Sequence, residues 1–347
     1  MSWTGGETCV RGITVTIATT EFEQRTDPYR RELLAHCYRM LGSVHDAEDL
    51  LQDTMLRAWR SFDRYDESRA SLRTWLYRIA TNACITALRG RPRRPLPSEL
   101  SAPWDDTEAP LVRGTEVPWL QPFPDSLLWA DAHDPSMEVI QRGTLRLAFV
   151  AALQHLPARQ RAVLIMRDVL MWSAAEVAEA LDTTTVAVNS ALQRAHIRID
   201  QMGLSADEVA EPSETASRVM VDRYVTAFER ADIAALTRLL TDDVVMEMPP
   251  IRNWFRGPQN FGRFIARSYS MRGIDWRMIS TTANGQPAVA AYARAADGEY
   301  RIHTLQVFTV RPTGICHLTV FQDDAVFAIF QLPATVPGPQ WLPAPEQ

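Results

Sequence analysis

From Asp46 to Asn82 the chain reads DAEDLLQDTMLRAWRSFDRYDESRASLRTWLYRIATN, and no other stretch narrows the fold so far. Val44, Ala47, Leu50, Leu51, Met55, Ala58 and Trp59 recur at intervals of three and four, so they share one face of a helix. Asp46, Glu48, Asp49, Gln52 and Asp53 fall largely off that face. A second helix is predicted from about Leu72 to Leu88, with Leu72, Trp75, Leu76, Ile79, Ala80 and Ala83 as its buried stripe. Arg73, Arg78 and Asn82 cannot all lie beneath that stripe. Residues 27–42 add a further helix: Asp27 is placed to cap it, Pro28 to take its first position and Gly42 to end it. Leu33, Leu34, Cys37, Tyr38 and Leu41 form its buried face. Elements with one apolar face each bury it against one another, which predicts a compact helical domain to about residue 90.

The acidic face of the Asp46 helix is by default a solvated surface. Its sharper reading is a docking site for Arg or Lys on a partner. The second helix is preceded by Phe62, Tyr65 and Arg69, in a loop tipped by Asp66-Glu67-Ser68. Arginines that track phosphates beside aromatics that stack unpaired bases hold a single strand. The plainer reading makes these aromatics core; it is favoured for Trp75 and level with the other for Tyr65. The run Arg89-Gly90-Arg91-Pro92-Arg93-Arg94 is a basic tail placed to touch phosphate.

Length and charge set the limits. A chain of 347 residues allows two or three domains, and a net charge of −6 confines any nucleic-acid surface to local patches. All 36 basic residues are arginine, which is not a binding signature by itself. Cys9, Cys37, Cys84 and Cys316 form no CxxC pair, so a reduced cytosolic protein without a zinc site is expected. No apolar run is long enough to span a bilayer, and no signal-peptide pattern opens the chain. There is no P-loop, no GxGxxG and no metal-ligand cluster, so no cofactor, no metal and no catalytic residue is expected.

Residues 95–136 are rich in Pro and acids and carry Trp104, Trp119 and Trp129. They read as a linker without a core of its own, although a plain tether has no use for three tryptophans. Helical patterning resumes over 137–202. Ser173 and Glu176 have capping-box spacing at the start of one helix. After a turn at Asp182-Thr183, Thr184 caps the next, which turns Val186, Val188, Leu192, Ala195 and Ile199 towards the core. Asn189, Ser190, Gln193, Arg194 and Arg198 are left outward. This is a helix-turn-helix whose second helix suits the major groove, with Asn and Gln matched to adenine and Arg to guanine or phosphate.

A short polar linker at 203–213 leads to a different plan. Two helical patterns at 214–240 precede a strand at Val244–Met248, a helix through Phe261, Phe264 and Ile265, and alternating stretches at 276–281, 286–294, 300–310 and 314–322. Asn284-Gly285 and Asp297-Gly298 mark hairpin turns between them. Helices followed by an antiparallel run predict an α+β domain. The tail at 333–347 is Pro-rich and reads as exposed.

These segments resemble known families. Asp46-Ala47-Glu48-Asp49-Leu50-Leu51-Gln52-Asp53-Thr54, Arg57-Ala58-Trp59 and Thr74-Trp75-Leu76-Tyr77-Arg78-Ile79-Ala80-Thr81-Asn82 are similar to region 2 of the sigma-70 family in its extracytoplasmic-function form. Leu156-Pro157-Ala158-Arg159-Gln160-Arg161-Ala162-Val163-Leu164 and the capped helix pair resemble region 4. Asn189 and Ala191 stand where many relatives carry a basic residue. Asp242-Asp243-Val244, Met248-Pro249-Pro250 and Phe255-Arg256-Gly257 resemble the SnoaL-like branch of the NTF2-like superfamily, a curved sheet wrapped on helices as a cone.

The resemblance implies a cytoplasmic alternative sigma factor, not an enzyme, with two all-α sigma domains followed by an α+β cone. Its implied divisions are 1–25 flexible, 26–94 region 2, 95–136 linker, 137–202 region 4, 203–213 linker, 214–332 cone and 333–347 tail. Asp49, Gln52 and Asp53 would face core RNA polymerase at the β′ clamp, with the β flap as a further contact. Arg64, Tyr65, Arg69, Arg73, Trp75, Arg78 and Asn82 would open and read the −10 element of promoter DNA. Thr184, Thr185, Asn189, Ser190, Gln193, Arg194 and Arg198 would read the −35 element. The linker would thread the polymerase cleft. The cone is expected to touch the sigma regions within the chain and to regulate them, with Tyr224, Trp254, Tyr269, Tyr292 and His303 as candidates for a small-molecule pocket. Two other readings stay open: a helix-turn-helix regulator that works without polymerase, and an isomerase or cyclase fused to a DNA-binding module.

Overall fold

The computed structural model describes residues 21–127, 143–202 and 214–337. The chain divides into two compact units. One comprises Met1–Pro92, Leu127–Gln141 and Ala152–Met202; the other comprises Arg93–Ser126, Arg142–Ala151 and Gly203–Gln347.

The first unit is helical. Its leading part holds helices at Arg30–Leu41, Val44–Ser61 and Leu72–Ala87. Gly42, at φ 69°, ends the first of these and returns its N–H to Tyr38 O at 2.7 Å, the left-handed stop that glycine adopts at least cost. Ser43 and Ser71 cap the next two, accepting N–H bonds from Asp46 (3.2 Å) and Thr74 (3.1 Å). Leu33, Leu34, Cys37, Tyr38 and Leu41 are buried as predicted. Asp27 is not the helix cap. Helical backbone already runs over residues 21–26, because Phe22 is buried against the Phe62 ring at 5.2 Å. Asp27 lies in a 3-10 turn and accepts from Arg30 Nε at 2.9 Å. Trp59 is also not core: it is 44% exposed. At about 100° per residue it sits roughly a quarter-turn from the centre of the Ala47–Ala58 face, and Thr54 is buried there instead.

The later part of this unit contains helices at Ala158–Leu164, Ala174–Ala180 and Thr185–Asp200, with a π turn at Ile165–Val169. The capping box forms: Ser173 N–H meets Glu176 Oε2 at 2.7 Å and Glu176 N–H meets Ser173 Oγ at 3.2 Å. Thr184 Oγ1 accepts from Ala187 N–H at 3.2 Å. Val188 and Ala195 are buried, but Val186 is 74% exposed, since two residues before Val188 is the opposite side of a helix. The two helical parts are joined rather than separate. Arg161, 4% exposed, donates to Gln154 Oε1 (2.9 Å), Gln154 O (3.0 Å) and Leu156 O (3.2 Å) and reaches Met40 O. The Tyr77 and Trp172 rings meet edge to face at 5.7 Å.

The second unit is built on a sheet of strands β1 (Leu240–Met248), β2 (Ile251–Arg256), β3 (Trp276–Ala283), β4 (Gln286–Arg294), β5 (Tyr300–Arg311) and β6 (Gly314–Phe321), in the order β2-β1-β6-β5-β4-β3, with β7 (Thr335–Val336) paired to β5. The β1–β6 pair is parallel and the others are antiparallel. Asn284 (φ 58°) and Gly285 (φ 68°) form the predicted two-residue turn, closing the Ala283↔Gln286 register. Strand β2 was not legible in the sequence, because Arg252 and Asn253 break its apolar pattern. Alternation divides β1 and β6: Met246, Met248, Leu318 and Val320 join the main core, whereas Glu247 and His317 lie on the other face.

Residues 95–126 do not run as a free linker. They fold onto the sheet of this second unit. Trp104 N–H donates to Trp254 O (2.9 Å), Arg252 N–H to Val112 O (2.8 Å) and Gly114 N–H to Pro250 O (2.8 Å), so the segment lies along the edge strand β2. Asn253 Oδ1 accepts from Val112 N–H at 2.7 Å. At the β3–β4 turn, Asn284 exchanges two bonds with Phe123, its N–H to Phe123 O and its Oδ1 from Phe123 N–H, both 2.8 Å. Asn284 Nδ2 holds Leu145 O at 2.6 Å, and Gln286 Oε1 accepts Leu147 N–H at 3.0 Å. Leu96, Leu120 and Phe123 are buried, each contributing about 2 kcal/mol relative to exposure. The physical reason is edge coverage: an unpaired β2 would present free backbone groups. Trp104 packs on the sheet core and Trp119 Nε1 ties back to Gly114 O at 2.7 Å. Trp129 lies outside the described residues.

Candidate functional site

On the Val44–Ser61 helix, Asp49 and Gln52 are exposed, and Asp53 is half-buried and paired with Arg57 at 2.7 Å. Leu56 and Trp59, each 44% exposed, continue the same side. Positions 49, 52, 53, 56 and 59 follow helical spacing, so the sequence carried this mixed acidic and apolar stripe, hidden by the assignment of Trp59 to the core. Asp46 sits apart, paired with Arg91 at 3.2 Å. The rest of the basic tail is also engaged within the chain: Arg93 with Glu99 and Arg94 with Trp119 O.

The loop and helix that follow form an aromatic platform. Phe62 stacks with Tyr65 at 6.2 Å, and Tyr65 meets Trp75 at 5.1 Å. All three are half-buried, so core packing and an open ring edge coexist. Tyr65 Oη donates to Ala70 O at 3.0 Å, which fixes the loop. Arg64, Arg69 and Arg78 are exposed around the platform. Arg73 is placed differently. It grips Glu32, with Nε and Nη2 at 2.9 and 2.8 Å from Oε2, and lies 4.9 Å over the Tyr77 ring. Asn82 is exposed, and its Nδ2 reaches Ala180 O at 3.5 Å.

On the Thr185–Asp200 helix, Thr184, Thr185, Asn189, Gln193, Arg194 and Arg198 are exposed and Ser190 is half-buried. His196 Nε2 meets Asp168 Oδ2 at 2.6 Å, a pair no local pattern announced.

The second unit contains a cavity of about 90 Å³ between its sheet and the helices Glu214–Glu229 and Pro258–Arg272. Tyr224 and His303 line it, with Phe228, Met246, Phe264 and Trp276 among their neighbours. Three of the five pocket candidates lie elsewhere. Trp254 is on β2 and donates Nε1–H to Ser101 O at 3.0 Å. Tyr269 Oη is spent on Phe228 O at 2.8 Å. Tyr292 belongs to a separate cluster with Ala290 and Tyr300, because alternation along β4 turns it away from Val289 and Ala291. Gln306, 4% exposed, was missed; it accepts from Tyr224 Oη at 3.1 Å and donates to Thr304 Oγ1 at 3.3 Å. Burial, with Arg272 adding repulsion, lowers the His303 imidazole to about 4, so it is neutral at pH 7. No carboxylate lines the cavity among the described residues.

Comparison with known proteins places these surfaces. Residues 27–94 match Sigma-70 region 2, residues 146–199 match Sigma-70, region 4, and residues 221–334 match the SnoaL-like domain. The ECF RNA polymerase sigma factor SigG of Mycobacterium tuberculosis (strain CDC 1551 / Oshkosh) is 49% identical over 319 residues, covering 90% of this chain and 84% of that protein. The chain belongs to the extracytoplasmic-function sigma factors of RNA polymerase. A second relative, SigJ of Mycobacterium tuberculosis (strain ATCC 25618 / H37Rv), is 27% identical over 242 residues, covering 68% of this chain and 69% of that protein. The crystal structure of Mycobacterium tuberculosis extracytoplasmic function sigma factor SigJ has the same fold at TM-score 0.60 and 22% identity, over 90% of this chain and 99% of that one. In this sigma factor, region 2 thus carries the acidic stripe and the aromatic platform, and region 4 carries the helix-turn-helix. Among the described residues no helix is long and apolar enough to cross a membrane.

Proposed function

We propose that this sigma factor meets the β′ clamp of core RNA polymerase through Asp49, Gln52 and Asp53 together with Leu56 and Trp59. The exposed carboxylates beside an apolar pair support this, since charge steers a basic partner and buried aromatic area holds it. Arg64, Tyr65, Arg69, Trp75, Arg78 and Asn82 take the opened −10 strand, with Arg73 as the strut that fixes the reading helix to Glu32. Thr184, Thr185, Asn189, Ser190, Gln193, Arg194 and Arg198 take the −35 duplex. The test is transcription by core polymerase reconstituted with variants. Asp49→Arg is expected to lose core binding in a pull-down with helicity unchanged. Arg194→Ala is expected to keep core binding and lose −35-dependent initiation, by about 1–3 kcal/mol if it reads a base bidentately. Retained core binding by Asp49→Arg would remove the first assignment.

The two DNA-reading parts share one unit. Elements named −35 and −10 lie roughly 85 Å apart along a duplex that rises about 3.4 Å per base pair. A unit in which Asn82 touches Ala180 O cannot reach both at once, so promoter binding requires regions 2 and 4 to part.

The SnoaL-like unit is the regulator in this reading, without turnover. His303, lowered to about 4 by burial, is a weak base, and no carboxylate lines the cavity among the described residues, which supports a binding role over an isomerase's proton abstraction. What carries the regulatory reading is the docked segment 93–126, since β2 and the Asn284-Gly285 turn hold the chain that joins region 2 to region 4. Truncation after Met202 tests it. The segment loses its support, and native-promoter transcription changes together with proteolysis between residues 95 and 126. If both stay as in the full chain, the unit is a passenger.

A further inference from the structure

The wall of the cone cavity includes one residue from outside the SnoaL-like segment, Leu111. It is half-buried, between exposed Pro110 and exposed Val112. The cavity behind it, at about 90 Å³, is smaller than the roughly 150 Å³ that accepts benzene. Any ring or chain of that size or larger must displace a wall. Much of the wall is fixed: β1, β5 and β6 are paired on both sides, and the lining Tyr224 meets the Phe228, Phe261 and Phe308 rings at 4.9–6.4 Å. Leu111 packs on the core as a partly buried side chain, and its segment is tied to β2 by Asn253 Oδ1 on Val112 N–H at 2.7 Å, Val112 O on Arg252 N–H at 2.8 Å and Asn253 Nδ2 on Pro110 O at 3.4 Å.

We propose that Leu111 is the movable wall of this cavity, and that a small apolar molecule ending in a carbonyl or carboxylate enters by displacing it and so loosens the pairing of the linker with β2. The proposal rests on the reading that the docked linker sets activity. The ligand class follows from the lining. Phe228, Met246, Leu318 and Val320 accept a ring or chain, and the polar end offers donors, from neutral His303, Thr304 and the exposed Arg272 at the rim. Gln306 already has partners on both sides of its amide, so the incoming oxygen is taken by His303 or Arg272. The coupling is mechanical: moving Leu111 moves Val112, whose N–H and C=O both bond to the β2 edge. Leu111 therefore belongs at once to the ligand wall and to the strand-like contact.

The experiment uses the full chain, 2-naphthoate and its neutral counterpart 2-acetylnaphthalene as probes, calorimetric titration, and backbone hydrogen exchange at Val112, Gly114 and Arg252. Without probe these amides are expected to be protected. A saturating probe is expected to speed their exchange about ten-fold, leaving β4 and β5 amides unchanged. Leu111→Ala, at a half-exposed position that the fold tolerates, is expected to bind about ten-fold tighter because no wall has to move, an effect of the size that reads as one decade in Kd. Preference for the carboxylate or the ketone tells whether Arg272 or His303 takes the oxygen. Binding with unchanged exchange, or no binding by either protein, overturns this proposal while the docked linker stands. Amides unprotected before any probe is added overturn the docking itself, and this proposal with it.

Discussion

Replacing Arg161 by methionine is expected to destabilise the helical unit by about 4 kcal/mol, because the buried guanidinium satisfies several carbonyls that methionine cannot. Arg161 is 4% exposed and donates to Gln154 Oε1, Gln154 O, Leu156 O and Met40 O. Met40 lies in the last turn of the Arg30–Leu41 helix. Carbonyls there have no partner within the helix, and a cation is favoured at that end. Arg161 therefore caps a region 2 helix from the Ala158–Leu164 helix of region 4. Methionine conserves much of the volume and removes the charge and every donor. Arg161→Lys is the informative second variant: it keeps the charge but not the planar fork, and is expected to recover less than half of the loss. Urea unfolding monitored by helicity measures both. A loss under about 1 kcal/mol for methionine, within the range of an ordinary surface substitution, would show that the carbonyls find other partners. The same variant bears on opening. If regions 2 and 4 part to reach the promoter, weakening this tie favours the open arrangement. At temperatures where Arg161→Met remains folded, its initiation is then expected to be retained or raised rather than lost.

How far the fold was legible depended on whether its signals were local. The Ser173–Glu176 box, Gly42 and the Asn284-Gly285 turn act within a few residues and appear where the sequence placed them, and apolar spacing placed the helices while misassigning Trp59 and Val186 to the core. The strand expected at 286–294 has those bounds, and the one expected at 300–310 runs Tyr300–Arg311, for the same reason. What escaped notice was long-range. Residues 95–126 look coreless because their core is supplied by residues about 140 to 160 positions later, through Asn253, Trp254 and Asn284. The three tryptophans were the one local hint, and composition outweighed it. Among candidate site residues, exposure was read well where polarity alone decides it, as at Asp49, Gln52, Gln193 and Arg194. It was read badly for large aromatics. Trp59 went to the surface, and Trp254, Tyr269 and Tyr292 were drawn away from the cavity by strand alternation or by a backbone carbonyl within reach of the hydroxyl or indole. Arg73 was legible as a residue too polar for the stripe, but nothing in its neighbourhood pointed to Glu32, 41 residues upstream.

Acid is expected to unfold the region 2 bundle through one histidine. His36 is fully buried, and burial, then Arg39 and Arg73, lower its imidazole from 6.5 to about 3. Its proton can be placed. Thr81 Oγ1 donates to Tyr77 O at 2.7 Å, so it accepts from His36 Nε2–H at 2.9 Å. Nδ1 is then a bare lone pair with no partner, on a ring that meets the Tyr77 ring edge to face at 5.1 Å between centroids. Protonating Nδ1 would bury a cation between two arginines with nothing to accept its hydrogen bond. The folded pKa is below the unfolded one, so between them the unfolded chain binds the extra proton and stability rises with pH. At pH 7 the residue is neutral in the folded state and mostly neutral in the unfolded one, so its pH dependence there is small. As pH falls through 6.5 the penalty begins, at about 1.4 kcal/mol per unit, reaching about 2 kcal/mol near pH 5 and about 4–5 kcal/mol by pH 3. His36→Gln keeps a donor for Thr81 and cannot titrate. Its urea midpoint is expected to match that of the natural protein at pH 7 to within the cost of the substitution, and to fall much less steeply from pH 6.5 to pH 4. Carboxylates held below their usual range, such as Asp66 through Ser68 and Asp275 through Tyr300 and Arg294, add slope at the acid end in both proteins and cancel in the comparison. Parallel pH profiles for the two proteins would mean that His36 reaches solvent before it charges. Thr81 precedes Asn82 on the helix proposed to read the −10 strand, so under that proposal charging His36 strains this element and acid is expected to reduce initiation before the bundle unfolds.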